Sequence, residues 1–183
     1  MDVTELSNIY IDTRDEFEKG NYDIISTREC FFTGMGVHLL KLNYNEIPDN
    51  KKHETVINLY SLMERNGRRM AKYVKDVKKF RPDDYLRELT PTIKGNDIIT
   101  IFRCDCGDIS KAQNRLSWTL DIDVAKHFYN WHMERKFLGF IPHIYSGKIK
   151  AKDIIAYTND REEQEIIQYR GVKEITEIVQ TYV

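Results

Sequence analysis

Membrane spans, a disulfide framework and an excess of either charge are all missing from this sequence of 183 residues. No apolar run approaches the ~20 residues that a helical span needs, so no membrane partner is expected. The opening residues, Met1-Asp2-Val3-Thr4-Glu5, are acidic and no apolar core follows them, which argues against a signal peptide. Three cysteines, an odd number, do not suggest paired bridges, and a reduced, cytoplasmic protein is the better reading. Cys104-Asp105-Cys106 has no second cysteine or histidine pair at useful spacing, while zinc takes about four ligands, so no metal is expected. With 28 basic against 29 acidic residues, the chain as a whole is not a dedicated polyanion binder. Internal repeats and low-complexity segments are absent too. What the chain does have is 41% apolar residues, ample for a core, and 31% charged residues, enough for a strongly solvated surface. Its length suits one domain, or one domain with a helical extension.

The first half reads as helices. Leu6, Ile9, Tyr10, Thr13 and Phe17 recur at helical spacing, and Gly20 supplies a stop. Residues 23–32 fit a helix, Gly34-Met35-Gly36 a break, and 37–42 either a strand or another short helix. Pro48-Asp49-Asn50 marks a loop. The clearest helix is 52–80, with Val56, Leu59, Tyr60, Met63, Met70, Tyr73, Val74 and Val77 in one stripe, bent or split near Asn66-Gly67. Its 64–81 portion carries the basic residues Arg65, Arg68, Arg69, Lys72, Lys75, Lys78, Lys79 and Arg81. Such a face can attract phosphates, so nucleic acid is a conceivable partner, although a solvated helix surface is the plainer reading. Residues 1–97 form a mainly helical region without chemistry of their own.

From Ile98 the pattern changes to strands. Expected strands are 98–103, 116–119, 140–149 (an edge or a bulge, because it contains Pro142), 154–157, 165–169 and 175–182. Asp121 is placed to cap a helix whose stripe is Val124, Ala125, Phe128 and Trp131-His132. This layout fits an α+β fold of two packed sheets.

Three short signals fall in order along these strands: Phe102-Arg103-Cys104, Ser117-Trp118-Thr119 and Glu163-Gln164-Glu165. Together they resemble the arginine, serine-x-serine/threonine, glutamate-x-glutamate series of the ADP-ribosyltransferases. Ser117-Trp118-Thr119 also runs directly into Leu120-Asp121-Ile122-Asp123-Val124-Ala125-Lys126-His127-Phe128, similar to the strand-to-helix junction of small bacterial and phage members. The first signal departs from the aromatic-Arg-Gly form common in close relatives. Tyr169-Arg170-Gly171 has that form but follows the glutamates, and reads as a turn.

The resemblance covers residues 98–183, which it marks as an NAD-binding catalytic domain with a two-sheet split β-sandwich. It implies that Arg103 anchors NAD through its phosphates or ribose, that Ser117 holds the glutamate and the ribose, and that Glu165 faces the cation that develops as nicotinamide leaves. Glu163 matches the glutamate that prepares the acceptor. Phe102, Cys104, Trp118 and Thr119 flank these residues on the cofactor side, with Trp118 pointing the other way from Thr119 along the strand. Phe128 either packs beside the nicotinamide or belongs to the core.

The implied activity is mono-ADP-ribosyl transfer from NAD to a macromolecular acceptor, a protein before a nucleic acid. By analogy, such an enzyme acts inside the cell as a toxin or as an agent against host machinery. The alternatives are an NAD glycohydrolase, in which water is the acceptor, and a non-catalytic binding protein on a transferase-like fold.

Overall fold

Helix caps and buried stripes organise the first part of the chain. In the computed structural model, which describes residues 2–27, 29–30, 34–62, 67–86, 89, 93–135, 141–159 and 161–178, the first helix, α1, spans Val3–Glu18. The Asp2 carboxylate accepts from the Glu5 amide at 2.8 Å, satisfying one of the orphan donors of the first turn. Thr13 and Phe17 are buried, and Gly20 ends the element with φ 94°. A 3₁₀ turn over Tyr22–Ser26 opens the segment 23–32, where a helix was expected and where Glu29 and Cys30 are helical; residues 28, 31 and 32 of that segment lie outside the described residues.

The break at Gly34-Met35-Gly36 falls at its first residue alone. Gly34, at φ 69°, precedes helix α2, Met35–Asn43, so residues 37–42 are helical rather than extended. Gly36 sits inside that helix because a Cβ there would lie 2.3 Å from the Ile25 carbonyl oxygen. Pro48-Asp49-Asn50 is the start of helix α3, Asp49–Ser61, instead of a loop: the Pro48 carbonyl accepts from the Lys51 and Lys52 amides at 2.8 and 3.1 Å. Helix α4 follows at Gly67–Val77, so the long helix is split; Met63, Arg65 and Asn66 lie outside the described residues. Val56, Leu59, Tyr60, Met70, Tyr73, Val74 and Val77 are all buried, as their spacing requires. Arg69, Lys72, Lys75 and Lys79 are exposed.

The chain forms two compact units, Met1–Pro82 and Asp83–Val183. The division comes after Pro82 rather than after Asp97, because described residues of the 83–97 segment pack with the strands. The Tyr85 hydroxyl donates to the Ala151 carbonyl at 3.2 Å, and Tyr85, Leu86 and Leu89 lie against the core of the second unit.

That second unit is a mixed helix-and-sheet structure. Its strands are β1 (Ile98–Asp105), β2 (Ser117–Thr119), β3 (His143–Lys150), β4 (Ile154–Thr158), β5 (Glu165–Gln168) and β6 (Lys173–Ile178). All paired neighbours run antiparallel in the order β4-β5-β2-β1-β3-β6. The described strands therefore belong to one hydrogen-bonded sheet, where two sheets were expected. β3 lies between β1 and β6 and is not an edge strand. Pro142 precedes it, and its irregularity falls between Ser146 and Lys148, where Gly147 leaves room for Val172.

Helix α5 (Ile109–Gln113) is capped by Asp108, and helix α6 (Ile122–Arg135) by Asp121, whose carboxylate accepts from the Asp123 amide at 2.8 Å. On one face of the sheet, Ile101, Trp118, Tyr145, Ile149, Ile154 and Ile166 form the main core. On the other, α6 buries Ala125 and Tyr129 against Ile144, Phe102 and Cys104.

Candidate active site

The end of β2 is where the singled-out residues gather. Just before β2, Leu116 turns its carbonyl to β5, where it accepts from the Gln168 amide at 2.8 Å. Carbonyls alternate along an antiparallel strand, so Ser117 turns its own toward β1. There it accepts from Arg103 Nη1 at 2.5 Å. A side chain thus stands where a ladder bond between β1 and β2 would be, and these strands are paired at one position only, Phe102 with Thr119. The sheet opens at this seam.

Register decides which faces the residues share. Thr119 pairs with both Phe102 and Glu165, and paired residues project to the same side, so Ser117, Thr119 and Glu165 share a face. Strict alternation puts Arg103 on the Trp118 side. Its guanidinium nevertheless ends in the seam, on the Ser117 carbonyl, and its charge acts on Glu165.

Glu165 opens β5 and is 7% exposed. Burial raises its pKa above the ordinary value, and the carboxylate of Glu163 adds to this; the Ser117 side chain and the charges of Arg161 and Arg103 pull the other way. Ser117 and Glu165 thus lie on one face of the paired strands β2 and β5.

Glu163 does not share the strand. It lies in the loop before β5, flanked by Glu162 at φ 58° and Gln164 at φ 45°, conformations that carry strain in residues with a Cβ. The loop is tied down by several bonds. Thr119 Oγ1 donates to the Glu163 carbonyl at 2.7 Å, and the Gln164 amide donates to Asn159 Oδ1 at 3.0 Å. The Leu120 amide donates to the Gln164 carbonyl at 3.1 Å. The Glu163 carboxylate is paired with Arg161 at 3.1 Å.

Several expected cofactor contacts are otherwise engaged. Thr119 is 8% exposed, and its hydroxyl accepts from the Asp121 amide at 3.0 Å while donating to Glu163, so it ties β2, α6 and the glutamate loop together. Trp118, 1% exposed, is a core residue. Phe102 and Cys104 pack beneath α6, and burial pushes the Cys104 thiol up to about 12, which leaves it protonated. Phe128 is an exposed residue of α6, not a core one, because the buried stripe runs through Ala125 and Tyr129 instead.

Two residues that the sequence reading passed over complete the site. Asp105, at the end of β1 and 4% exposed, accepts from Arg103 Nε at 3.0 Å, from Arg115 Nε at 2.6 Å and from Arg115 Nη2 at 3.0 Å. Burial alone would raise its pKa, but the hydrogen bonds and charges of the two arginines hold it below the ordinary value. A signal existed: Asp105 stands two after Arg103 and Arg115 two before Ser117, the period of a strand. From α6, His132 feels both Asp105 and Arg103, and burial lowers its pKa.

Among the described residues, no helix is long and apolar enough to cross a membrane. Comparisons of the chain with protein-family models, curated proteins and solved structures gave no match.

Proposed function

We propose that the second unit is a mono-ADP-ribosyltransferase of the arginine, serine, glutamate class, taking NAD as its co-substrate and releasing nicotinamide. The observation that carries this reading is the meeting of three chemically suited groups at one seam. A buried carboxylate, Glu165, shares a face of the paired strands with the hydroxyl of Ser117, and Ser117 offers its carbonyl to the guanidinium of Arg103. A carboxylate held in a site of low polarity stabilises a positive charge developing on a sugar more strongly than one in water. The seam also favours the split sandwich that the resemblance implies. β1 and β3 are paired at eight positions and β1 and β2 at one, so the strands fall into the halves β4-β5-β2 and β1-β3-β6. Both halves contribute to one core: Ile101, Tyr145 and Ile149 from one, Trp118, Ile154 and Ile166 from the other.

The residues present fit the dinucleotide. Arg103 commits Nε to Asp105 and Nη1 to Ser117, and Nη2 has no partner among the described residues, which suits it to a phosphate oxygen. Ser117 and Glu165 hold the ribose end. Glu163, outside β5 and held beside Arg161, prepares the acceptor. Glu163 at a loop position favours transfer over hydrolysis. The test is incubation with NAD labelled in the adenine half, alone and with cell extract. Labelled macromolecule together with free nicotinamide is expected. Free ADP-ribose without labelled acceptor would make the protein a glycohydrolase, and absence of nicotinamide release would leave a binding protein.

A further inference from the structure

A guanidinium already rests on the carboxylate assigned to the acceptor. Arg161 Nη2 lies 3.1 Å from Glu163 Oε2, and their side chains are 45% and 25% exposed. The charge of Arg161 also acts on Glu165, more strongly than that of Arg103, so one guanidinium stands near both carboxylates. The loop is braced around it. The Asn159 carbonyl accepts from the Glu162 amide and Asn159 Oδ1 from the Gln164 amide, each at 3.0 Å.

We propose that Arg161 is a modification site of the chain itself, an acceptor in cis that takes ADP-ribose from NAD. This rests on the transferase reading above and names an acceptor for it. A partly exposed ion pair contributes little to stability, and Glu162 and Gln164, on either side of Glu163, are held at positive φ. Loop stability therefore accounts poorly for the pair, whereas placement of a nucleophile accounts for its contact and its exposure alike. Arg161 is two residues from Glu163 and four from Glu165, so its effective concentration at the site far exceeds that of a free acceptor at ordinary concentrations.

In the transfer, Nη2 forms a bond to the anomeric carbon of the nicotinamide ribose as the carbon–nitrogen bond to nicotinamide breaks. Nicotinamide leaves as a neutral molecule with the bonding pair, while the attacking nitrogen gives one proton to Glu163, which passes it to water. The product keeps its guanidinium charge, and Glu165 faces the cation that develops as the old bond breaks.

The experiment incubates the purified whole chain with NAD labelled in the adenine half, without any other acceptor, and maps the label by peptide mass spectrometry. One ADP-ribose per chain on Arg161 is expected, with nicotinamide released in at least equal amount. The rate per molecule should not change on roughly tenfold dilution, because the acceptor is tethered. Agmatine, a small guanidinium acceptor, should compete and lower that rate. Arg161→Lys, which keeps the positive charge but not the guanidinium, should lose the label at least about tenfold. Label mapped to another residue, a rate that falls with dilution, or full labelling of Arg161→Lys each overturns the site. Labelled agmatine beside an unlabelled chain does so too, and leaves the transferase reading standing. No nicotinamide release with any acceptor removes both.

Discussion

Both units carry exposed ion pairs, but among the described residues only the second buries carboxylates. In the first, Lys19–Glu16, Lys51–Glu54 and Lys79–Asp76 pair across one helical turn with both side chains largely in solvent. Such pairs contribute little, because water screens them and holding two long side chains costs entropy. In the second, Asp105 and Glu165 are buried at the ends of strands, and Asp105 is held by Arg103 from its own strand and by Arg115, 10 residues further on. A charge removed from water raises the folding free energy unless partners compensate it. This contrast is one reason for proposing the site in the second unit.

The sharpest way to break the comparison is Glu165→Gln, which keeps the shape and removes the charge. Nicotinamide release should fall about 10²–10³-fold, the usual loss for one preorganised electrostatic contact. Stability should move the other way. With its pKa raised on folding, Glu165 contributes stability that is present below its unfolded pKa and lost as pH rises through the folded one. The variant should therefore melt above wild type at neutral pH and converge with it in acid. Wild-type activity should fall on the acid side at a pH above the ordinary glutamate value. Thermal melts and pH–rate profiles check both; full activity in the variant would end the assignment.

Asp105→Asn comes next. Two arginines lose their shared anion, at a cost of about 2–3 kcal/mol, the scale of hydrogen bonds to charged groups. The pKa of Asp105 is depressed, so its contribution is present above the unfolded value and lost as pH falls through the folded one. Denaturant titrations at neutral and strongly acid pH should show the difference shrinking in acid. By contrast, Lys51→Ala in the first unit should leave the midpoint unchanged, since its partner Glu54 is equally solvated.

Glu163→Gln should divide the two activities. Acceptor labelling is expected to drop several-fold while release of nicotinamide to water persists, because Glu165 remains in place; equal loss of both would move Glu163 into the NAD site. A smaller effect is expected from charge reversal at Arg69 and Lys72, exposed residues of α4. Labelling of a natural acceptor should weaken, with hydrolysis of NAD alone unaltered. Equal loss in both assays would mean that the helical unit supports the catalytic one.

Wherever local physics dominates, the sequence by itself determined the outcome. The α1 stripe and its Gly20 stop, the buried stripe of α3 and α4, the Asp121 cap of α6 and the approximate positions of the strands follow from spacing and capping alone. So does the separation of Trp118 from Thr119, since a strand alternates its faces. Short-range readings failed where a distant neighbour intervened. Gly36 is helical because the Ile25 carbonyl leaves no room for a Cβ, and Phe128 is exposed because Tyr129, one position on, is the residue that meets the sheet. Tertiary structure alone decided that one sheet joins all described strands, that Arg103 leaves its own face to bond the Ser117 carbonyl, and that Asp105 gathers two arginines. These outcomes depend on register and burial across strands separated in sequence. The free energy of a buried charge is set by whichever partners the fold brings within hydrogen-bonding distance, and spacing along the chain carries no record of them.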